Sequence, residues 1–165
     1  MTAAKDSCSA DQPARHAPWS SEALRIYFLL CTASSALWTN LAWLLIGEYY
    51  RGLLGGIMAA PLIGLVAGLV YLPAYRWSLT ARLALSLVTL YLGAILFGLA
   101  CGAWDALSGI PGKPGRDPIE VVSQNVVMTL YGVTMTGFVA FLWPLAYANH
   151  WALGRAAQRA SRLTD

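Results

Sequence analysis

The chain has 165 residues, of which 58% are hydrophobic and only 12% charged, and its net charge of +3 is gathered in a few short segments. One soluble domain of that length needs no such apolar excess. No nucleic-acid partner is expected, and the composition predicts an all-α integral membrane four-helix bundle. Crossing about 30 Å of hydrocarbon takes roughly 20 apolar residues at about 1.5 Å each. Four runs qualify, at about 26–46, 53–75, 81–104 and 121–147. They are rich in Leu, Ala and Gly and lack strand alternation.

Residues 1–19 mix Asp, Pro, Ser and Lys without periodicity and read as a flexible tail, followed by a transmembrane domain over 20–151 and a basic tail over 152–165. The first apolar run starts late and has the length of a span, so it reads as a retained anchor rather than a secretory signal. Ser20 or Ser21 is suited to cap the first helix, with Glu22 in its first turn. The middle of that helix is polar for a span. Thr32, Ser34, Ser35, Thr39 and Asn40 are expected to face protein. Residues 47–52, GEYYRG, read as a tight hairpin with Tyr49 and Tyr50 at headgroup level.

In the second run Gly56, Ala60, Gly64 and Gly68 recur at every fourth position, a stripe that lets a neighbouring helix approach backbone to backbone. Pro61 bends this helix. Ser78 or Thr80 starts the third, which carries a second such row, Ala94, Gly98 and Gly102. A turn-rich loop follows, ending in Asp117 as N-cap, Pro118 at the first helical position and Glu120 at the third. From Pro118 one helix is expected to continue past Tyr147, about 45 Å, with a third row at Gly132, Thr136 and Ala140. The rows read as contacts inside the bundle, with a dimer interface as the alternative.

Placing both tails and the 76–82 loop on one side collects eight basic residues there against three on the other. The positive-inside rule then puts both termini in the cytoplasm, and a cytoplasmic (inner) membrane is the expected location. Arg155, Arg159 and Arg162 share one helical face and are expected to meet lipid headgroups.

Chemistry is sparse. His16 lies in a tail and His150 at the inner boundary, so no histidine pair for haem and no metal site is read, and no cofactor is expected. Every carboxylate and basic group falls in loops, tails or helix ends, which argues against ion pumping. Cys31 and Cys101 lack a neighbouring His, and Cys8 reads as a free thiol.

One polar set emerges from depth. Asn40 lies about 21 Å, Tyr131 about 24 Å and Tyr91 about 15 Å above the inner edge, so three helices are expected to converge on a ligand pocket with Trp38, Trp43 and Thr89. The plainer alternative is that each polar group bonds to nearby backbone. The leading reading is a non-enzymatic accessory, assembly or stabilising subunit, partnered by membrane lipid and by other membrane subunits or its own copies. Second is binding or transport of an apolar or amphipathic small molecule; third is an enzyme with a dispersed site.

Overall fold

A computed structural model of the chain describes residues 19–46, 53–108, 117–135, 137 and 139–164, without the side chains of 42, 43, 45, 46, 163 and 164. The expected hairpin at 47–52, most of the loop before Asp117, Cys8 and the rest of the N-terminal tail lie outside the described residues. What is described is helical: α1 Ser21–Ile46, α2 Leu53–Tyr71 with a short 3-10 turn Leu72–Arg76, α3 Leu79–Ser108, α4 Pro118–Met135 and α5 Val139–Thr164. Among the described residues, Leu53–Arg76 and α3 are long and apolar enough to cross a membrane. The count becomes three if α4 and α5 form one broken span.

The helix starts follow local chemistry. Ser20 Oγ accepts from the amide of Ala23 at 3.1 Å, Ser78 Oγ from that of Ala81 at 3.4 Å, and Asp117 Oδ1 from that of Ile119 at 2.9 Å. Each side chain satisfies an amide that the first turn leaves without a helical partner. At the other end of α2, Arg82 Nε donates to the carbonyls of Ala74 (3.2 Å) and Trp77 (3.1 Å), and another guanidinium nitrogen to that of Tyr75 (2.9 Å). The sequence counts Arg82 as a topology charge; in the fold it also neutralises the carbonyl end of the 3-10 turn.

The helices stand in a row, each packed on its chain neighbours, with α5 crossing one end of the row against α1 and α3. Small residues set the close contacts. A Cβ at Gly64 would lie 2.4 Å from the carbonyl oxygen of Cys31, and one at Gly102 only 2.6 Å from the Cα of Val122. Gly68 likewise meets Cys31, Gly56 meets Phe97, and Gly98 meets Val126. The first two rows therefore join α2 to α1 and α3, and α3 to an antiparallel α4, within one chain.

In the third row, Gly132 and Ala140 do not set a close helix approach. A Cβ at Gly132 would have nothing within 4 Å, Ala140 is exposed, and Thr136 lies outside the described residues. The single helix expected from Pro118 past Tyr147 is instead two, whose axes differ by 95°. Gly137 stands between them at φ +71°, a left-handed conformation in which a glycine has no Cβ to clash. Pro144 does not mark the break; it lies inside α5, where its missing N–H costs only the bond to the carbonyl of Ala140.

At the α5 end, aromatic rings pack edge to face. Tyr27 meets Trp19 at 5.3 Å and Tyr75 at 5.8 Å, and Tyr75 meets Tyr71 at 5.4 Å. Tyr27 is fully buried, and its hydroxyl donates to the carbonyl of Gly68 at 3.2 Å. Ala157 of α5 completes this cluster with Cys31.

Candidate functional site: a cleft above α5

The row of helices borders an open cleft of about 500 Å³. Ile63, Gly64 and Ala67 of α2 and Leu90, Gly93, Ala94 and Phe97 of α3 form its back. Cys31, Ser35, Trp38 and Thr39 of α1 line one side and Thr129 and Val133 of α4 the other, over a floor of Ala146, Asn149, His150 and Leu153 of α5. No packing comparable to the other seams joins α1 to α4, and the cleft opens between them. Trp38 and Leu41 of α1 and Leu145 of α5 stand partly exposed at this mouth.

The walls are mainly apolar, with the hydroxyls of Thr39 and Thr129 turned back to carbonyls of their own helices at 2.8 Å, and further hydrogen-bonding groups gather at the floor. Ser34 Oγ donates to Asn149 Oδ1 at 2.9 Å. His150 is buried, with its ring stacked flat on that of Tyr71 at 3.9 Å and its Nε2 3.1 Å from Thr89 Oγ1. Thr89 donates its own hydroxyl hydrogen to the carbonyl of Ser86 at 2.9 Å. Nε2 must therefore donate to Thr89, since a hydroxyl has one hydrogen to give. The other ring nitrogen, Nδ1, is buried and has no hydrogen-bond partner among the described residues.

Three further bonds seat α5. Trp143 Nε1 donates to the carbonyl of Leu83 at 2.8 Å and to Ser86 Oγ at 3.0 Å, and the Tyr75 hydroxyl donates to the carbonyl of His150. Gly154 lets the Tyr75 ring lie against the α5 backbone.

Of the residues expected to form a pocket, Trp38 and Thr89 line the cleft, and the side chain of Trp43 lies outside the described residues. Asn40, Tyr91 and Tyr131 do not converge. Asn40 is exposed and donates to the carbonyl of Ala36 on its own helix at 2.8 Å. Tyr131 is 59% exposed. Tyr91 lies 3.3 Å from Thr134 Oγ1, joining α3 to α4 away from the cavity. Depth along the axis is only half of a position. At about 100° per residue, Asn40 lies about 180° around α1 from the cleft-lining Cys31, and Tyr131 about 200° around α4 from Thr129.

Asn149 and His150 are the site residues that the sequence reading leaves out. Their signal is present nonetheless. His150, Gly154, Ala157 and Ser161 recur at helical spacing opposite Arg155, Arg159 and Arg162, giving α5 a buried small and polar face and an exposed basic one. Arg155 also lies over the ring of Trp151, 4.1 Å from its centre.

Comparison of the chain with protein-family models, with curated proteins and with solved structures finds no match. The cleft is therefore read from its own chemistry.

Proposed function

We propose that the protein is a polytopic membrane protein that binds an apolar or amphipathic small molecule, taken up from the bilayer through the mouth between α1 and α4. In this reading α1 to α4 form the membrane bundle of a cytoplasmic membrane. Both termini are cytoplasmic, and α5 lies along the inner face with Arg155, Arg159 and Arg162 toward anionic headgroups. The excess of eight basic residues over three supports that orientation. Outward Leu37, Met58, Leu62, Val127 and Met128, each more than half exposed, suit lipid rather than water. Labelling tests the threading: Ser108→Cys should react with an impermeant thiol reagent on intact cells while Cys8 stays protected. The reverse pattern would overturn it.

The observation that carries the binding reading is the cleft itself. Its volume of about 500 Å³, apolar walls and few polar groups at one end are those of a small-molecule site. A Cβ at Gly93 would meet only Ile63, at 3.9 Å, so Gly93→Leu should fill the cleft without displacing backbone. Wild-type protein purified in mild detergent should retain a small molecule by native mass spectrometry, and Gly93→Leu should lose it. Equal retention by both would remove the cleft as its site, and none in wild type, with no stabilisation by added lipid, would overturn the reading.

A second reading is the accessory or assembly subunit, in which the same mouth receives a helix of a partner. What favours it is that α1 and α4 stand open side by side. What weakens it is that the small-residue rows of α2 and α3 are already used within the chain. A polypeptide co-purifying with wild type and lost in Gly93→Leu would support this reading instead.

A further inference from the structure

The floor of the cleft restricts which molecule fits, and this inference rests on the binding reading above. No Asp, Glu, Lys or Arg lines the cavity. Its hydrogen-bonding groups are neutral and lie on facing helices, Ser34 and Ser35 on α1 and Asn149 on α5. Ser34 uses one end of the Asn149 amide. The other end makes no hydrogen bond among the described residues, nor does the hydroxyl of Ser35. Thr89 is committed to Ser86 and His150, Thr39 to the carbonyl of Ser35 and Thr129 to that of Asn125. Apart from Nδ1 of His150, which is fully buried, the free capacity at the floor is therefore one amide end and one hydroxyl. A carboxylate or phosphate placed there would lose its hydration without meeting a countercharge. A hydroxyl or ester carbonyl would gain a partner and leave no charge buried.

We infer that the cleft takes an uncharged amphiphile, whose hydroxyl- or carbonyl-bearing head bonds to Asn149 and Ser35 and whose apolar part lies along Ile63, Gly93 and Phe97. Ordinary phospholipids are then poor occupants, because the phosphate would sit at the neutral floor. The polar end of the molecule points toward α5, and its apolar end toward the half of the bundle that holds Trp38 and Phe97.

Three dibrominated stearoyl probes test this on the purified full-length protein: the monoglyceride, the free acid at a pH where it is ionised, and the headless hydrocarbon. Bromine at the chain quenches Trp38 at the mouth, and Trp38→Phe should remove that part of the quenching. The monoglyceride should bind most tightly. Asn149→Leu should weaken it on the order of tenfold and leave the hydrocarbon unchanged. If Asn149→Leu does not fold, Ser35→Ala, which keeps the Ser34 bond, should weaken the monoglyceride severalfold with the hydrocarbon again unchanged. Equal affinity for the ionised acid, or loss of affinity for all probes alike in the folded variant, would overturn the head-group inference while the cleft stands. Failure of every probe to quench Trp38 in wild type would instead overturn the binding reading itself.

Discussion

The α3–α4 seam and the α1–α4 gap border the same helix and differ in what they put between backbones. Along the seam, Gly98 and Gly102 bring α3 so close that added Cβ atoms would fall 2.8 and 2.6 Å from Cα atoms of Val126 and Val122. Across the gap stand Trp38 and Thr39 on one side and Thr129 and Val133 on the other, and the space between them stays open. In a bilayer the surrounding chains are as apolar as the helices, so burying a Leu or Val against protein gives little drive to close a gap. Close approach by small residues and interhelical hydrogen bonds does the joining. Where neither occurs, a cleft persists.

Adding bulk at each place breaks or sharpens that contrast. Gly102→Leu should have the largest effect, because the atom it strikes is backbone on a packed partner. A loss of about 3 kcal/mol or outright failure to assemble is expected in thermal melts of the purified protein. Unchanged melting would mean that the seam is looser than its glycines imply. The same substitution at Gly93, facing the open side, should change stability by less than about 1 kcal/mol while abolishing retention of the bound molecule. A loss matching that of Gly102→Leu would erase the distinction between seam and cleft. Smallest of all is Asn40→Leu, on the outer face of α1. Among the described residues its amide bonds only to its own helix, so stability and binding should both stay within about 0.5 kcal/mol of wild type. A marked loss of binding would restore Asn40 to the site.

The sequence made the helices, their caps and the two working rows of small residues legible, because each depends on spacing along one chain segment. Gly64 and Gly102 could be read as contacts without knowing the partner. Gly137 could not be read as a break. It sits in a stretch already rich in small residues, and a glycine that admits a neighbour looks the same in sequence as one that adopts positive φ. The expected pocket does not form for a related reason: axial counting gives Asn40 and Tyr131 similar heights but leaves their rotation about the axis unset. Thr89 and Trp38 were found because they happen to face inward. In sequence His150 reads only as a boundary residue, since it is the turn between α4 and α5 that carries it over to Tyr71 and Thr89.

If the cleft is filled from the bilayer, the clasp that holds α5 across the row sets the phase from which it is loaded. Its basic side and its cleft side are separated by the thickness of one helix, about 10 Å, and three hydrogen bonds tie it to three separate elements, one donated by Trp143 to Leu83 and two accepted, by Asn149 from Ser34 and by the His150 carbonyl from Tyr75. On that reading the floor is shut to water, and a molecule reaches the cavity only after dissolving in the membrane. On the bilayer-uptake reading, occupancy follows mole fraction in the bilayer and not concentration in the buffer. Diluting proteoliposomes with buffer should leave occupancy unchanged, whereas adding empty lipid at constant total ligand should empty the cleft.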